Sequence, residues 1–407
     1  MVCSVVTGWK KLSGDKNWEG LLQPLSPDLR RYLIHCAQSA GAVGDLFNGE
    51  THEPDATKQD FFSKAGLVKG NPYKYDVTHF LYAGCDQVEP SWFGYVAVAT
   101  DEGKHVLGRR DILIAWRGTA TWSEWLNDAH LLYKETLRTY SPLPENTRLP
   151  FTRVSTLSIP VPDRILLIPK LVPDSSLGAA LAMLTAMDIV ANGYNKPTQG
   201  NPVMVTAFTF GGPRVGNAGL ADVFDTLGDH LHLLRIKNEK DFIPTLPPGI
   251  FSYAEFGIKL IVNSYKSEYL KWKGPFGYYA VLLDEHEHEL NDIGSLDEVE
   301  PEYEPKRKRV RSELSSLYED EYEPKRRRVG GALPQYYSCH NMDVYAHGVA
   351  IKDIDKNTPA DKLDYDIALV NKYLDRVKNE YKIPPNWWVG DNRKKMFQLQ
   401  NGRWVVV

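Results

Sequence analysis

Ser176 is the residue in this 407-residue chain best placed for nucleophilic chemistry. It is followed at once by Leu177-Gly-Ala-Ala-Leu-Ala-Met-Leu-Thr-Ala-Met-Asp-Ile-Val-Ala-Asn192-Gly193, small and apolar residues with good helix propensity that close on a usual helix stop. A serine there stands at a helix N-terminus, where free N–H groups can bind a developing oxyanion. Gly178, Ala179 and Ala180 leave the first turn nearly bare, so it can pack closely on a neighbouring strand. This is half of the Gly-x-Ser-x-Gly nucleophile elbow: Gly178 is present, and Asp174 stands where the first glycine belongs. A serine hydroxyl needs a base, and the base needs an orienting carboxylate. Asp241 follows the strand expected at His232–Lys237, the position at which a Ser…Asp…His order places its carboxylate. Taken alone, a loop aspartate is usually a cap or turn residue. Thr119, after Arg117-Gly118, offers an N–H and a hydroxyl at the C-terminal end of a strand, where open α/β sheets carry their sites.

The elements that must position these groups follow from hydrophobic period. Ser26 before Pro27 starts a helix whose Leu29, Tyr32, Leu33 and Cys36 share a buried face, and His35 on it reads as a packed core histidine. Residues 51–75 read as a connection. Strands are expected at Tyr75–Tyr82, Trp92–Thr100, Arg110–Trp116, Pro202–Phe210 and His232–Lys237, with Asp101-Glu102-Gly103 as a turn. Ile112–Trp116 is continuously apolar, as a strand buried on both faces must be. Leu220–Leu227 and Asp366–Asp375 read as helices, and the C-terminal Gly402–Val407 as a small β element. Residues 141–173 are atypical, with seven prolines between Ser141 and Ser176. Pro169 cuts the apolar run Ile165–Ile168 and argues against a central strand there, so a gap in the sheet is expected beside Ser176.

Residues 284–333 form a charged insert. Glu302-Tyr-Glu-Pro-Lys-Arg-Lys-Arg-Val310 is nearly repeated as Glu321-Tyr-Glu-Pro-Lys-Arg-Arg-Arg-Val329. Between Asp297 and Val329 ten acids face nine bases, so the segment largely neutralises itself, buries little and is expected to be disordered. Its basic clusters, 306–311 and 325–328, fit nuclear import or phosphate contact. His286 and His288 alternate with glutamates, but their spacing matches no metal site, and neither a metal nor a cofactor is expected.

A net charge of -4 gives no global attraction to nucleic acid or to an anionic membrane, and no nucleic-acid partner is expected. The four widely spaced cysteines read as reduced thiols of a cytoplasmic protein. No signal or transit peptide is expected at the N-terminus, and no run reaches the ~18 apolar residues of a membrane span. Composition says nothing about oligomeric state.

Together these residues resemble the plant class-II phospholipase A1 family, within the lipase class 3 α/β hydrolases. The resemblance rests on Tyr95–Gly103, Gly108–Thr119, Glu124–Asp128, Ser176–Ala182, Asp188–Lys196, Pro213–Gly216, Leu234–Asp241, Ser267–Leu270, His340–Gly348 and Asp366–Lys372. It implies an α/β fold, a mostly parallel sheet flanked by helices, built from 1–283 and 334–407 as one domain. It implies acyl-ester hydrolysis of a phospholipid, at the sn-1 position, in lipid degradation, with peripheral membrane contact. Carried over by motif, Ser176 is the nucleophile, Asp241 the carboxylate and His340 the general base, with His347 the rival base. The oxyanion donors are the N–H of Leu177 and the N–H or hydroxyl of Thr119. The sequence departs from the family at the elbow, where Asp174-Ser175 replaces Gly-His. A lipid-binding or interaction protein on the same scaffold is the alternative reading.

Overall fold

The computed structural model describes residues 3–83, 91–117, 164–169, 177–197, 200–247, 253–271 and 339–407. These fall in one compact unit, Met1–Gly274 with Pro334–Val407; a second unit, Pro275–Leu333, lies outside the described residues. So do Thr119, Ser176 and the charged insert.

Among the described residues the elements run α1 (Cys3–Leu12), α2 (Pro27–Asp45), β1 (Tyr75–Ala83), β2 (Ser91–Ala99), α3 (Asp101–Leu107), β3 (Asp111–Trp116) and β4 (Arg164–Pro169). They continue with α4 (Leu177–Ala191), β5 (Met204–Phe210), α5 (Ala218–Thr226), β6 (Leu231–Asn238), β7 (Ile258–Val262), α6 (Met342–Ala350), β8 (Met396–Gln398) and β9 (Trp404–Val406). Strands β1 to β7 form one sheet in sequence order. β1 with β2 and β2 with β3 are antiparallel; every later pair is parallel. β8 and β9 make a separate ribbon.

Alternation sorts the strand residues into two cores, as a sheet covered on both faces requires. Leu113, Ala115, Phe208, Phe210, Leu234 and Ile236 join α2 and α6 on one face. Ile112, Ile114, Val205, Ala207, Leu231 and Leu233 join α4 and α5 on the other. The large buried side chains each contribute about 1.5–3 kcal/mol. His35 lies in the first core, its ring 4.3 Å from Tyr73 and 5.7 Å from Tyr75.

Three local readings are corrected. Arg164–Pro169 is a central parallel strand, paired on both sides, so the sheet has no gap there. Pro169 is tolerated because it ends the strand: pairing with β5 stops at Leu167, two residues earlier. Asp101–Gly103 opens a helix, not a turn. The Thr100 side chain caps it by accepting the Gly103 N–H at 3.0 Å, two acids sit in its first turn, and Gly108 ends it at φ 73°. Gly103 is needed because a Cβ would come 2.1 Å from the Lys74 carbonyl oxygen. Finally, the helix read over Asp366–Asp375 is a short 3-10 turn, Ile367–Asn371. Asp366 accepts the N–H groups of Ala368 and Trp404, and Asn371 accepts those of Arg376 and Val377, which turns the chain away.

Candidate active site

β6 carries the carboxylate. After Asn238 the chain turns tightly, with the Asp241 N–H donating to the Asn238 carbonyl at 2.9 Å. The Ile243 N–H then donates to Asp241 Oδ1 at 3.0 Å. His340 comes from 99 residues further along, immediately before the cap of α6, where Asn341 accepts the N–H groups of Asp343 and Val344. Asn238 joins the two pieces. Its amide donates to the Cys339 carbonyl at 3.0 Å and to Ser264 Oγ at 2.8 Å. The residue before His340 is therefore tied to the end of the strand that precedes Asp241.

His340 Nδ1 lies 2.6 Å from Asp241 Oδ2, and both residues are 2% exposed. An ionised carboxylate only accepts, so the imidazole carries its proton on Nδ1 and leaves Nε2 as an acceptor. Nε2 is buried and has no hydrogen-bond partner among the described residues. Tyr345 donates its hydroxyl proton to the same Asp241 oxygen at 2.5 Å and accepts the Asn238 N–H at 3.1 Å. Burial and the adjacent Asp241 raise the Tyr345 phenol well above its ordinary range, so it stays a donor. The same two causes raise the Cys339 thiol.

His347 stands elsewhere. It is fully buried, its Nε2 is 2.7 Å from Ser267 Oγ, and burial pushes its pKa down to about 3. Among the described residues no carboxylate contacts it, and its partners are Ser267 and the Tyr269 ring.

α4 begins at Leu177, so its first N–H groups have no intrahelical acceptor. The loop after β5 closes on this first turn: a Cβ on Gly212 would come 2.8 Å from Ala179 Cβ. Ser176 and Thr119 lie outside the described residues, and the structure brings together only Asp241 and His340 of the sequence-derived set. Asn238, Ser264 and Tyr345 were missed as site residues. Asn238 and Tyr345 stand within the runs Leu234–Asp241 and His340–Gly348, where their polar side chains among apolar neighbours are the available signal.

A profile of the class 3 lipases, "Lipase (class 3)", matches residues 175–251. Phospholipase A1-IIgamma of Arabidopsis thaliana is 31% identical, over 98% of this chain and 92% of its own length. Phospholipase A1-II 1 of Oryza sativa is 32% identical, over 98% of this chain and 96% of its own. The chain belongs to the class-II phospholipase A1 family. That family is one of carboxylic ester hydrolases within the class 3 lipases, and the class 3 match spans α4, β5, β6 and Asp241. A solved triacylglyceride lipase of Rhizomucor miehei aligns with 58% of this chain and 81% of its own at 19% identity and a TM-score of 0.36. The fold of this class-II phospholipase A1 relative is shown by its own strand order.

Proposed function

We propose that the protein hydrolyses the sn-1 acyl ester of phospholipids through Ser176, His340 and Asp241. The observation that carries this reading is the buried Asp241–His340 pair, whose Nε2 has no hydrogen-bond partner among the described residues. An acceptor buried without a donor costs about 1–3 kcal/mol, a cost that a serine hydroxyl would relieve. In the reaction, Ser176 Oγ attacks the acyl carbonyl carbon while Nε2 takes its proton. The carbonyl oxygen becomes an oxyanion, held by the N–H of Leu177 and by Thr119. The intermediate collapses, Nε2 returns the proton to the departing lysophospholipid oxygen, and an acyl-serine remains. A water then attacks the acyl carbon, giving its proton to Nε2, and the fatty acid leaves as Ser176 recovers its proton. Asp241 stays ionised throughout, stabilising the imidazolium.

The phospholipid substrate is supported by the relatives' names, phospholipase A1-II. A role in lipid degradation, peripheral membrane contact and a cytoplasmic location belong to the same reading. The clusters 306–311 and 325–328 are proposed to direct any nuclear fraction, which deleting 297–329 from a fluorescent fusion would abolish. The enzymatic reading is tested with phosphatidylcholine carrying distinguishable acyl chains in mixed vesicles. Fatty acid is expected from sn-1, and Ser176→Ala should lower the rate by about 10⁴-fold or more. Turnover unaffected by Ser176→Ala would overturn the assignment.

A further inference from the structure

Asp241 Oδ2 serves two donors at once. His340 Nδ1 approaches at 2.6 Å and the Tyr345 hydroxyl at 2.5 Å, while Oδ1 takes the Ile243 N–H. Both donors to Oδ2 are delivered by one element, since His340 immediately precedes the cap of α6 and Tyr345 lies within that helix. The Tyr345 ring is itself fixed. It is fully buried, meets Phe210 edge-on at 6.3 Å and stands 6.5 Å from the His340 ring at 82°. Its oxygen also accepts the N–H of Asn238, the last residue of β6. The phenol thus bridges the strand end to the carboxylate that the following turn presents.

We propose that Tyr345 is a positioning residue for the Asp241–His340 pair, fixing the direction of the carboxylate and moderating its pull on the imidazole proton. The proposal rests on reading that pair as catalytic. Two effects follow from one hydrogen bond. A second donor on Oδ2 holds that oxygen in line with Nδ1, which keeps Nε2 aimed at the nucleophile. It also withdraws charge from Oδ2, so the carboxylate stabilises the imidazolium less than it would alone. Among the described residues, other titratable groups bear on the pair through Cys339 and Tyr345, Tyr265 interacting with Cys339 and Arg376. Cys339 bears on Asp241 and Tyr345, Arg376 on Cys339, and Arg235 on Tyr345.

The test is Tyr345→Phe, which keeps the ring and removes the donor. Profiles of kcat and KM against pH are measured, with the His340 imidazole N–H resonance followed by NMR. kcat is expected to fall roughly ten- to hundredfold, as loss of one hydrogen bond to a charged group implies, with KM unchanged. The acid limb of the kcat/KM profile should move to higher pH, because a carboxylate relieved of the phenol holds the imidazolium more strongly. The N–H resonance should move as well. An unmoved acid limb and resonance, whatever happens to kcat, would overturn the proposal. Should Tyr345→Phe fail to fold, 3-fluorotyrosine at position 345 donates more strongly and should move the limb to lower pH; no movement would again overturn it. Full turnover in Asp241→Asn would sink the catalytic reading instead, and the resonance shift would still test the link from Tyr345 to Asp241.

Discussion

Three buried histidines show how neighbours decide what one side chain does. His340 has a carboxylate on Nδ1 and a buried Nε2 with no partner among the described residues. His347 has a serine hydroxyl, and His35 has tyrosine rings. The place of Asp241 was legible, because a carboxylate after a later strand leaves marks in period and turn residues, whereas Ser176 lies outside the described residues. The choice between His340 and His347 was not legible from spacing, since both stand in one polar-apolar run; it came from the family resemblance. Burial holds His35 and His347 neutral, with pKa values of about 3. In the unfolded chain each takes a proton below about 6.5. Between these limits the unfolded state binds more protons, so stability is fully present above pH 6.5 and falls as pH drops toward 3. The slope is about 1.4 kcal/mol per pH unit for each histidine. Burial raises the Asp366 pKa, and that group works in the opposite direction. Urea unfolding across pH 4 to 6 should show a shallower dependence in His35→Gln than in the parent; equal slopes would contradict a neutral buried His35.

At the level of elements, the C-terminal segment acts as a clamp on the part of the fold that carries His340. Lys372 is buried between Asp45, at the end of α2, and Asp343, in the first turn of α6, at 2.8 and 3.5 Å. Burial opposes its charge, but Asp343 and Asp45 outweigh that and raise its pKa. Tyr365 donates to Asp343 at 2.7 Å, and Trp388 donates from its indole to the Asp45 carbonyl at 3.2 Å. Lys372→Met should cost about 3–5 kcal/mol, since it removes the buried cation that both carboxylates share; urea unfolding measures it, and a loss below 1 kcal/mol would show that water reaches the cluster. Strands buried on both faces were readable here because continuous apolar runs such as Ile112–Trp116 admit few alternatives. β4 was not, because Pro169 is a breaker only if the ladder continues past it, and where a ladder ends is a tertiary fact. α3 was missed for the opposite reason: Asp101-Glu102-Gly103 suits a turn and a first helical turn alike, and the Thr100 cap decides.

On the scale of the whole molecule, the sheet order places β4, β5 and β6 side by side, and α6 returns from the C-terminal part of the chain to meet the ends of β5 and β6. That closure brings together groups 99 residues apart, Asp241 and His340; in the proposed reaction Ser176, which directly precedes α4 in the sequence, is the nucleophile. The elbow carries Asp174 where its family has glycine, so whether Ser176 is an activated nucleophile is the central question. A fluorophosphonate probe answers it directly, because it reacts fastest with a serine whose proton a neighbouring base removes. Incubation of the full chain, followed by peptide mass spectrometry, should find one adduct, on Ser176, formed at a rate that His340→Ala lowers by at least a hundredfold and His347→Gln leaves nearly unchanged. A folded protein that takes no label, or takes it on another serine at a rate indifferent to His340, would contradict the account.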